Sequence, residues 1–326
     1  MSQVHKTALK GQRILVTGAS GFVGRHCCRI LQDMGMVVLG TSRQQADCVS
    51  LDEWYQLDLS QDFDLSQVLS TVDYIFHLAG LAHQSQQLAD KDYQLVNHQA
   101  VLRLAQQAEQ ADVKQMVFLS TVKAKCIDGI SCADELAGTV PQDAYGLSKY
   151  EAEKSFIKLL TRSRMKGVII RPSLIYGSEV KGNLASLIGA IKRHIVPPLP
   201  HSGLYRSMVS VQDVVAAMIF SLDNKAMWEQ IFIVTDGQSY DARRLYDGIR
   251  HSLGRRSIKK SIPLSIFKYL ASMGSWLEDI TSLRLPFNHS VYHKLFGSEC
   301  YDSNKIRALG FVPLATFENQ IKDIAK

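Results

Sequence analysis

The sequence lacks any apolar run long enough to cross a membrane. No run approaches the roughly 18 residues that a transmembrane helix needs, and the residues from Met1 to Lys10 hold no apolar stretch typical of a signal peptide. The 326 residues are 46% hydrophobic and 21% charged, which is typical of a globular protein with a sizeable core. We therefore expect a soluble, cytoplasmic protein with no membrane span.

Metal-binding cysteine patterns and clustered positive charge are also lacking. The six cysteines form no Cys-x-x-Cys pair and show no metal-ligand spacing with histidine, so we expect reduced thiols and no metal site. The formal net charge of +6 is modest and spread along the chain, without the basic block that binds nucleic acid. We expect no nucleic-acid partner, whereas a phosphorylated small molecule would suit this charge.

Short apolar, β-branched runs alternate with longer helical patterns along the chain. This alternation predicts an α/β fold with a parallel sheet covered on both faces, which right-handed crossovers wind into a doubly wound, Rossmann-type arrangement. The runs that we assign to strands are Ile14 to Thr17, Val37 to Leu39, Tyr74 to Leu78, Met116 to Ser120, Val168 to Arg171 and Ile231 to Thr235.

The pattern changes after Pro172, where glycines and prolines interrupt it, and from Ile262 onward helices are not followed by clear strands. The segment from Ser261 to Phe287 is apolar at helical spacing. We interpret it as a helix that closes a smaller domain, rather than as a surface for a partner or a membrane.

A glycine-rich turn follows the first predicted strand and precedes a helix. Its spacing is Gly-x-x-Gly-x-x-Gly, formed by Gly18, Gly21 and Gly24. Glycines let the chain turn tightly and let a pyrophosphate approach backbone N–H groups at the positive end of the helix. We therefore predict a dinucleotide-binding Rossmann domain formed by residues 1–172 and 208–237, and a substrate domain formed by residues 173–207 and 238–326.

Tyr145 and Lys149 lie four residues apart in a helical pattern. This spacing stacks a phenol over an ammonium, which favours the phenolate and predicts acid or base chemistry at Tyr145 near neutral pH. The pair alone is weak, because the same spacing occurs by chance in many helices.

Taken together, these motifs resemble an extended short-chain dehydrogenase/reductase of the nucleotide-sugar epimerase, dehydratase and reductase group. The resemblance covers nearly the whole chain. Its sub-family details are similar to UDP-glucose 4-epimerase-like proteins of bacterial surface-polysaccharide and O-antigen biosynthesis. The matching segments are Val16 to Gly24, Leu57 to Leu59, His77 to Gly80, Val96-Asn97, Phe118 to Val122, Tyr145 to Lys149 and Arg171 to Gly177.

The resemblance implies a set of cofactor-binding residues. The phosphate turn contributes Gly18, Ser20, Gly21, Phe22, Val23 and Gly24. Asp58 and Leu59 hold the adenine, and Leu78, Ala79 and Gly80 line the cofactor. Asn97 braces the neighbouring strand, Ser120 and Pro172 lie at the cofactor, and Tyr145 and Lys149 contact it.

The second strand indicates which nicotinamide is bound. NAD-binding members carry an acidic residue about 20 residues past the glycines, where it bonds the ribose hydroxyls. This chain has Ser42 and Arg43 there instead, and these two side chains suit a 2′-phosphate. We predict a preference for NADP(H), with NAD(H) as the alternative.

At the reaction centre, the resemblance implies that Thr121 orients the C4 oxygen of a sugar, Tyr145 exchanges its proton and Lys149 stabilises the phenolate. The 4,6-dehydratases carry an Asp-Glu pair directly after the catalytic threonine, and the decarboxylating members keep a glutamate two residues after it. This chain has Val122 and Lys123 there. Dehydration is therefore not expected, and redox chemistry at one carbon remains.

Five further residues are implied at the substrate. Arg206 and Asn183 contact the diphosphate, Asp302 bonds the nucleotide ribose, and His83 and Lys123 face the sugar together with Thr121. The family's second diphosphate-binding arginine has no clear counterpart here.

The leading hypothesis is an NADP-dependent 4-keto sugar reductase/dehydrogenase acting at C4 of a UDP-activated, N-acetylated 6-deoxy hexose. The first alternative is a UDP-hexose or UDP-N-acetylhexosamine 4-epimerase, and the second is a non-catalytic dinucleotide-binding scaffold. The resemblance also implies a homodimer.

Overall fold

A computed structural model of the chain describes residues 9–44, 51–82, 89–127, 132–180, 182–281, 285 and 287–324. Its strands, in chain order, are β1 Arg13–Thr17, β2 Val37–Ser42, β3 Glu53–Gln56, β4 Tyr74–His77, β5 Gln115–Leu119, β6 Lys166–Pro172, β7 Leu174–Tyr176, β8 Arg206–Ser210, β9 Gln230–Val234 and β10 Ser239–Tyr240.

Helices connect these strands. A π-helical turn, Leu95–Gln99, lies between α3 and α4. The helices are α1 Phe22–Asp33, α2 Ser66–Leu69, α3 Asp90–Gln94, α4 Ala100–Gln110, α5 Ala144–Leu160, α6 Asn183–Lys192, α7 Val211–Phe220, α8 Ala242–Ser252, α9 Leu264–Thr281, α10 His289–Phe296, α11 Asn304–Ala308 and α12 Phe317–Ile324. Short 3₁₀ turns lie at Val122–Ala124 and Lys225–Met227.

Seven strands form one parallel sheet in the order β3-β2-β1-β4-β5-β6-β9. Apolar strand side chains alternate between its two faces. Ile14 and Val16 pack with α1 and α7 on one face, and Leu15 and Ile75 pack with α4 and α5 on the other. The predicted α/β Rossmann-type fold is therefore confirmed.

The small sheet, with the order β10-β8-β7, lies over a third apolar cluster. In this cluster, Tyr176 and Tyr240 contact Phe317 edge to face, and both phenols donate to the carboxylate of Asp236. The predicted boundaries between the two domains remain a prediction.

Within the described ranges, no helix is long and apolar enough to cross a membrane.

One expectation about cysteine is wrong. The structure joins Cys132 and Cys300 in a disulfide across 168 residues of sequence. Spacing along the chain gave no sign of this pair, because the fold alone places the two residues together. The backbone continues the connection: Ala133 donates to the Cys300 carbonyl at 3.0 Å, and Asp302 donates to the Ala133 carbonyl at 2.8 Å.

Candidate active site

A cavity of about 320 Å³ opens where β4, β5 and β6 end. The carboxyl ends of parallel strands are the usual ligand site in doubly wound sheets. The residues that follow these strands line it, and α5 and the segment near Glu299 close it. The lining residues predicted from the sequence are Leu78, Gly80, Ser120, Thr121, Lys123, Tyr145, Lys149 and Pro172.

Helix α5 carries Tyr145 and Lys149. One contact at its start and a second one further along hold it in place. The carboxylate of Asp143 caps its start by accepting from the Gly146 N–H at 2.9 Å. Further along, Glu153 accepts two hydrogen bonds from Arg171 of β6, at 2.8 and 2.5 Å, and both side chains are buried. This bidentate pair attaches the helix to the sheet beside the cavity.

Tyr145 lies half-buried against the cavity, with the ring of Tyr93 edge-on at 6.2 Å. Burial raises the pKa of Tyr145 to about 12, the hydrogen bond with Thr121 lowers it, and Asp143 and Tyr93 raise it. Burial is the largest of these effects, so Tyr145 of the chain on its own carries its proton at neutral pH. Its role as an acid or base remains a prediction.

Lys149 is buried beneath Tyr145, and two groups of β5 adjoin its ammonium. Its Nζ donates to the Leu119 carbonyl at 3.3 Å and lies 4.7 Å from the centre of the Phe118 ring. Burial lowers the pKa of Lys149 to about 8, while the carboxylate of Glu153 raises it. The ammonium therefore remains the main form at neutral pH, at a cost in desolvation.

The phosphate turn is shaped by close backbone approaches. Gly18 has φ +71° and lies so near Ala79 that an added Cβ would come within 2.8 Å of the Ala79 Cα. A Cβ on Gly24 would lie 2.1 Å from the Gly18 carbonyl oxygen. Only glycine fits at these two positions. Gly21 directly precedes α1, so the turn presents the start of that helix, whose first residues are Phe22 and Val23; Ser20 lies half-buried in the turn.

The residues around the cavity fit a nicotinamide dinucleotide. The hydroxyls of Ser120 and Ser173 are buried at the cavity and have no hydrogen-bond partner in the described structure. A Cβ on Gly80 would approach the Asn97 Oδ1 to 2.8 Å and the Lys149 Nζ to 3.3 Å, so this wall stays open only with glycine. Unpaired buried hydroxyls beside such an opening indicate a polar ligand.

Asn97 fixes the loop that follows β4. Its side chain accepts from the Leu81 N–H at 2.8 Å and donates to the Leu81 carbonyl at 3.0 Å and to the Ser148 hydroxyl at 3.2 Å. It therefore links this loop to α5 from the π-helical turn, as a brace between two walls of the cavity.

At the carboxyl end of β2, the Ser42 hydroxyl already has two hydrogen-bond partners. It donates to the Gln44 carbonyl at 2.6 Å and accepts from the Trp54 indole at 3.0 Å. Arg43 is exposed and lowers the pKa of Asp58, although the hydrogen bonds from Ser60 contribute more to that shift. The side chain of Leu59 packs into the core, which leaves its backbone for a ligand.

Glu299 and Tyr301, which the sequence did not identify, also line the cavity. Glu299 forms an ion pair with Lys123, which also lines the cavity. Tyr301 directly precedes Asp302, the predicted ribose-binding residue, so this position was a usable signal for Tyr301. Glu299 precedes the run and gave none.

The other predicted substrate residues are not brought to this cavity. Arg206 donates to the Lys294 carbonyl at 2.6 Å, and both carboxylate oxygens of Asp302 accept from Asn304. Asn183 is exposed at the start of α6. His83 lies outside the described residues.

This arrangement belongs to a known class of enzymes. Residues 14–234 match the model of the NAD dependent epimerase/dehydratase family, and the chain belongs to this family. The predicted extended short-chain dehydrogenase/reductase is thereby confirmed, and the protein is an NAD(P)-dependent oxidoreductase or epimerase.

Individual relatives agree with this assignment. A UDP-glucose 4-epimerase of Vibrio cholerae is 30% identical over 96% of this chain and 94% of its own length. A UDP-2-acetamido-2,6-beta-L-arabino-hexul-4-ose reductase of Pseudomonas aeruginosa is 22% identical over 65% of this chain and 50% of its own length. The structure of a UDP-glucose 4-epimerase from Thermotoga maritima, with UDP-glucose, has the same fold, with a TM-score of 0.75 at 19% identity over 96% of this chain and 97% of that one.

Proposed function

We propose that this protein is an NADP-dependent 4-keto sugar reductase/dehydrogenase acting at C4 of a UDP-activated, N-acetylated 6-deoxy hexose. The observation that carries the proposal is the convergence of Thr121, Tyr145, Lys149 and the unpaired Ser120 hydroxyl on one cavity. A protein that only sensed or displayed a dinucleotide would have no need of a proton donor there, which argues against the scaffold alternative.

Tyr145, Thr121 and Lys149 have separate roles at the C4 oxygen of the sugar. Tyr145, which is protonated at neutral pH, gives its proton to the C4 oxygen during reduction, and Thr121 holds that oxygen by a hydrogen bond. The Lys149 ammonium lowers the cost of forming the phenolate. A bound nicotinamide would supply the hydride, and in this proposal the phosphate turn at Gly18 holds the pyrophosphate, Gly80 and Ser120 line the cofactor, and Asn97 braces the adjoining wall.

The choice of NADP rests on Arg43. The family's ribose-binding carboxylate is absent from the end of β2, and Arg43 is exposed beside Asp58. Because the Ser42 hydroxyl already donates to Gln44, the guanidinium is the better donor for a 2′-phosphate.

We expect Arg43→Ala to weaken NADPH binding at least tenfold and to leave NADH binding unchanged. Ser42→Ala serves as the matched control and should alter neither affinity more than about twofold. Titration of nicotinamide fluorescence measures both. An Arg43→Ala protein that bound both cofactors like the wild type would overturn the proposed preference.

The 4-epimerase is the second candidate, favoured by the 30% identical relative. An epimerase would first oxidise the C4 alcohol and then return the same hydride to the opposite face of the resulting ketone, so it performs the proposed reduction only as its second half. A redox-neutral enzyme has no need of a reduced cofactor pool, so NADPH consumption separates the two reactions.

Several finer assignments complete the proposal. The diphosphate is bound by Asn183 and Arg206, and the nucleotide ribose by Asp302. To do so, Arg206 gives up its hydrogen bond to the Lys294 carbonyl, and Asp302 gives up those from Asn304. Lys123 and His83 face the sugar. The protein forms a homodimer through the helices near residues 93–109 and 145–160, and it serves polysaccharide or O-antigen biosynthesis in the cytoplasm.

The test is to incubate the purified protein with NADPH and a UDP-4-keto-6-deoxy-HexNAc, and separately with UDP-GlcNAc and UDP-glucose without added cofactor. Loss of reduced-nicotinamide absorbance with the keto sugar supports the reductase. Interconversion of 4-epimers without added cofactor refutes it in favour of the epimerase, and a product lighter by one water would show that the Glu299 carboxylate supports dehydration after all.

A further inference from the structure

Helix α9, Leu264–Thr281, carries a continuous stripe of exposed apolar side chains. At about 100° per residue, its seven members fall within an arc of about 120° on one face. The larger ones are far from buried: Tyr269 is 65% exposed, Trp276 60% and Ile280 61%. The complete stripe is Ile266, Tyr269, Leu270, Met273, Trp276, Leu277 and Ile280.

The opposite side of the same helix is what attaches it to the protein. Phe267, Ala271 and Gly274 are buried, and Phe267 packs against Phe296 and Phe287. A Cβ on Gly274 would lie 2.1 Å from the Phe287 carbonyl oxygen, so the helix is seated closely. The interpretation of this segment as a helix that closes the domain therefore accounts for one face and leaves the stripe unexplained.

Cations are frequent in the segment that leads into this helix and in an earlier segment. Residues 248–277 hold six Lys and Arg and no Asp or Glu, and residues 182–212 hold three and none, while Glu278 and Asp279 lie near the end of the helix. The cations of the first segment are Arg250, Arg255, Arg256, Lys259, Lys260 and Lys268, and those of the second are Lys192, Arg193 and Arg206.

Backbone contacts hold parts of these two segments together near the start of α9. The Arg255 guanidinium donates to the carbonyls of Ile191 and Lys192, both at 2.9 Å. The Ile262 N–H donates to the Pro198 carbonyl at 3.2 Å, two residues before α9 begins. Lys259 and Lys260 are exposed in the same stretch. A basic cluster therefore adjoins one end of the apolar stripe.

We propose that this face of the protein docks on the surface of an anionic lipid bilayer, with α9 lying in the plane of the interface. Apolar side chains that include Trp and Tyr suit the boundary between headgroups and acyl chains, and adjacent lysines and arginines attract anionic headgroups. A second copy of the chain is the competing occupant of such a face, and light scattering distinguishes it from a bilayer. The proposal does not depend on which sugar reaction the enzyme catalyses.

The first experiment is co-sedimentation of the full chain with vesicles of phosphatidylglycerol and phosphatidylethanolamine, and with vesicles of phosphatidylcholine alone. We expect binding to the anionic vesicles that weakens as salt is raised, and little binding to phosphatidylcholine. Brominated acyl chains should quench the wild-type tryptophan fluorescence, and Trp276→Phe should remove that quenching although Trp54 and Trp228 remain.

Two variants divide the proposal into its apolar and charged parts. Leu270→Ser/Trp276→Ser should lower vesicle binding at least tenfold, and Lys259→Gln/Lys260→Gln should lower it about thirtyfold on anionic vesicles. Their matched controls are Leu136→Ser/Leu314→Ser, at side chains 88% and 82% exposed, and Lys225→Gln/Lys322→Gln, both of which should bind like the wild type.

Binding that is absent, or that the α9 variants do not reduce, would overturn the proposal. So would light scattering that showed a dimer lost in Leu270→Ser/Trp276→Ser, since that result assigns the stripe to a second copy. Turnover of a water-soluble substrate should be unchanged in all four variants, which distinguishes failure of docking from failure of the proposed reaction.

Discussion

For Lys149, catalysis needs the charged ammonium, whereas stability of the folded protein favours the neutral amine. Its ammonium is useful beneath Tyr145 because it stabilises a phenolate, but burial disfavours the charge and lowers its pKa to about 8. Since the unfolded chain holds this proton up to a higher pH, the folded protein is destabilised by about 3 kcal/mol at neutral pH.

We expect Lys149→Met to abolish turnover and yet raise the free energy of unfolding at pH 7 by roughly 2 kcal/mol. The gain is smaller than the full desolvation cost because the Leu119 carbonyl loses a donor. Between about pH 8 and 10.5 the unfolded wild type binds more protons, so its stability should rise with pH relative to the variant. Urea titrations across this range measure the effect, and a variant less stable than the wild type at pH 7 would contradict it.

The hydroxyl of Tyr145 is the proposed proton donor. Removing it should lower kcat by 10²-fold to 10⁴-fold, because proton transfer is lost while the walls of the site stay in place. Tyr145→Phe is therefore expected to bind NADPH with unchanged affinity. Tyr150→Phe is the matched control on the same helix, and its kcat should stay within about twofold of the wild type. Turnover that persisted in Tyr145→Phe would mean that another group donates the proton.

At the scale of secondary-structure elements, the buried pair of Glu153 and Arg171 attaches α5 to β6. Breaking one side of such a pair leaves a buried charge uncompensated, which costs about 3–5 kcal/mol. We expect Glu153→Gln to lose stability in this range and to lower kcat as well, since α5 carries Tyr145 and Lys149.

The exposed pair of Arg13 and Glu53 supplies the comparison for that prediction. Glu53→Gln should cost less than 1 kcal/mol, because water already solvates both charges. Equal losses from the two substitutions, measured by denaturant unfolding, would show that the Glu153 pair does not position the helix.

The Cys132–Cys300 disulfide connects two segments that adjoin the cavity. Reduction frees a closed loop of more than 100 residues, so we expect a loss of roughly 4 kcal/mol in stability. Because Glu299 and Tyr301 flank Cys300, KM for the sugar should rise more than kcat falls. Thermal unfolding and kinetics of Cys132→Ser/Cys300→Ser, with Cys126→Ser as the control, test this; unchanged KM would separate the disulfide from the site.

The sequence predicted the main sheet well where strands are fully buried. The six predicted strands correspond to β1, β2, β4, β5, β6 and β9, since continuous β-branched runs mark strands covered on both faces. It missed β3 at the sheet edge, where Glu53 and Gln56 flank two half-buried aromatic residues. It also missed β7 and β10, which are too short to show a period, and β8, Arg206 to Ser210, where polar residues interrupt the apolar run.

At the scale of the whole molecule, the site combines local motifs with a distant wall. The motifs fixed by backbone geometry, from Gly18 to Lys149, could be predicted because their spacing is set by a turn or a helix. Glu299 could not, because it meets Lys123 only after the chain folds back across more than 100 residues. The Cys132–Cys300 pair escaped prediction for the same reason.

The distribution of charge can be read along the sequence, although the net charge of +6 does not show it. Residues 248–277, which contain every member of the exposed stripe of α9 except Ile280, hold six cations and no acid, and Glu278 and Asp279 follow them. The proposed active site and the proposed lipid-facing surface therefore lie on different parts of the chain and can be altered independently.

The central claim is that the cavity performs net hydride transfer to C4 of a nucleotide sugar, and the most direct test follows the hydride itself. The protein is incubated with NADPH deuterated at the transferable C4 position of the nicotinamide and with a UDP-4-keto-6-deoxy-HexNAc, and the product is examined by NMR. The account predicts one deuterium at C4 of the sugar and one NADPH oxidised per product. A product without deuterium at C4, or sugar conversion with no NADPH oxidised, would contradict it.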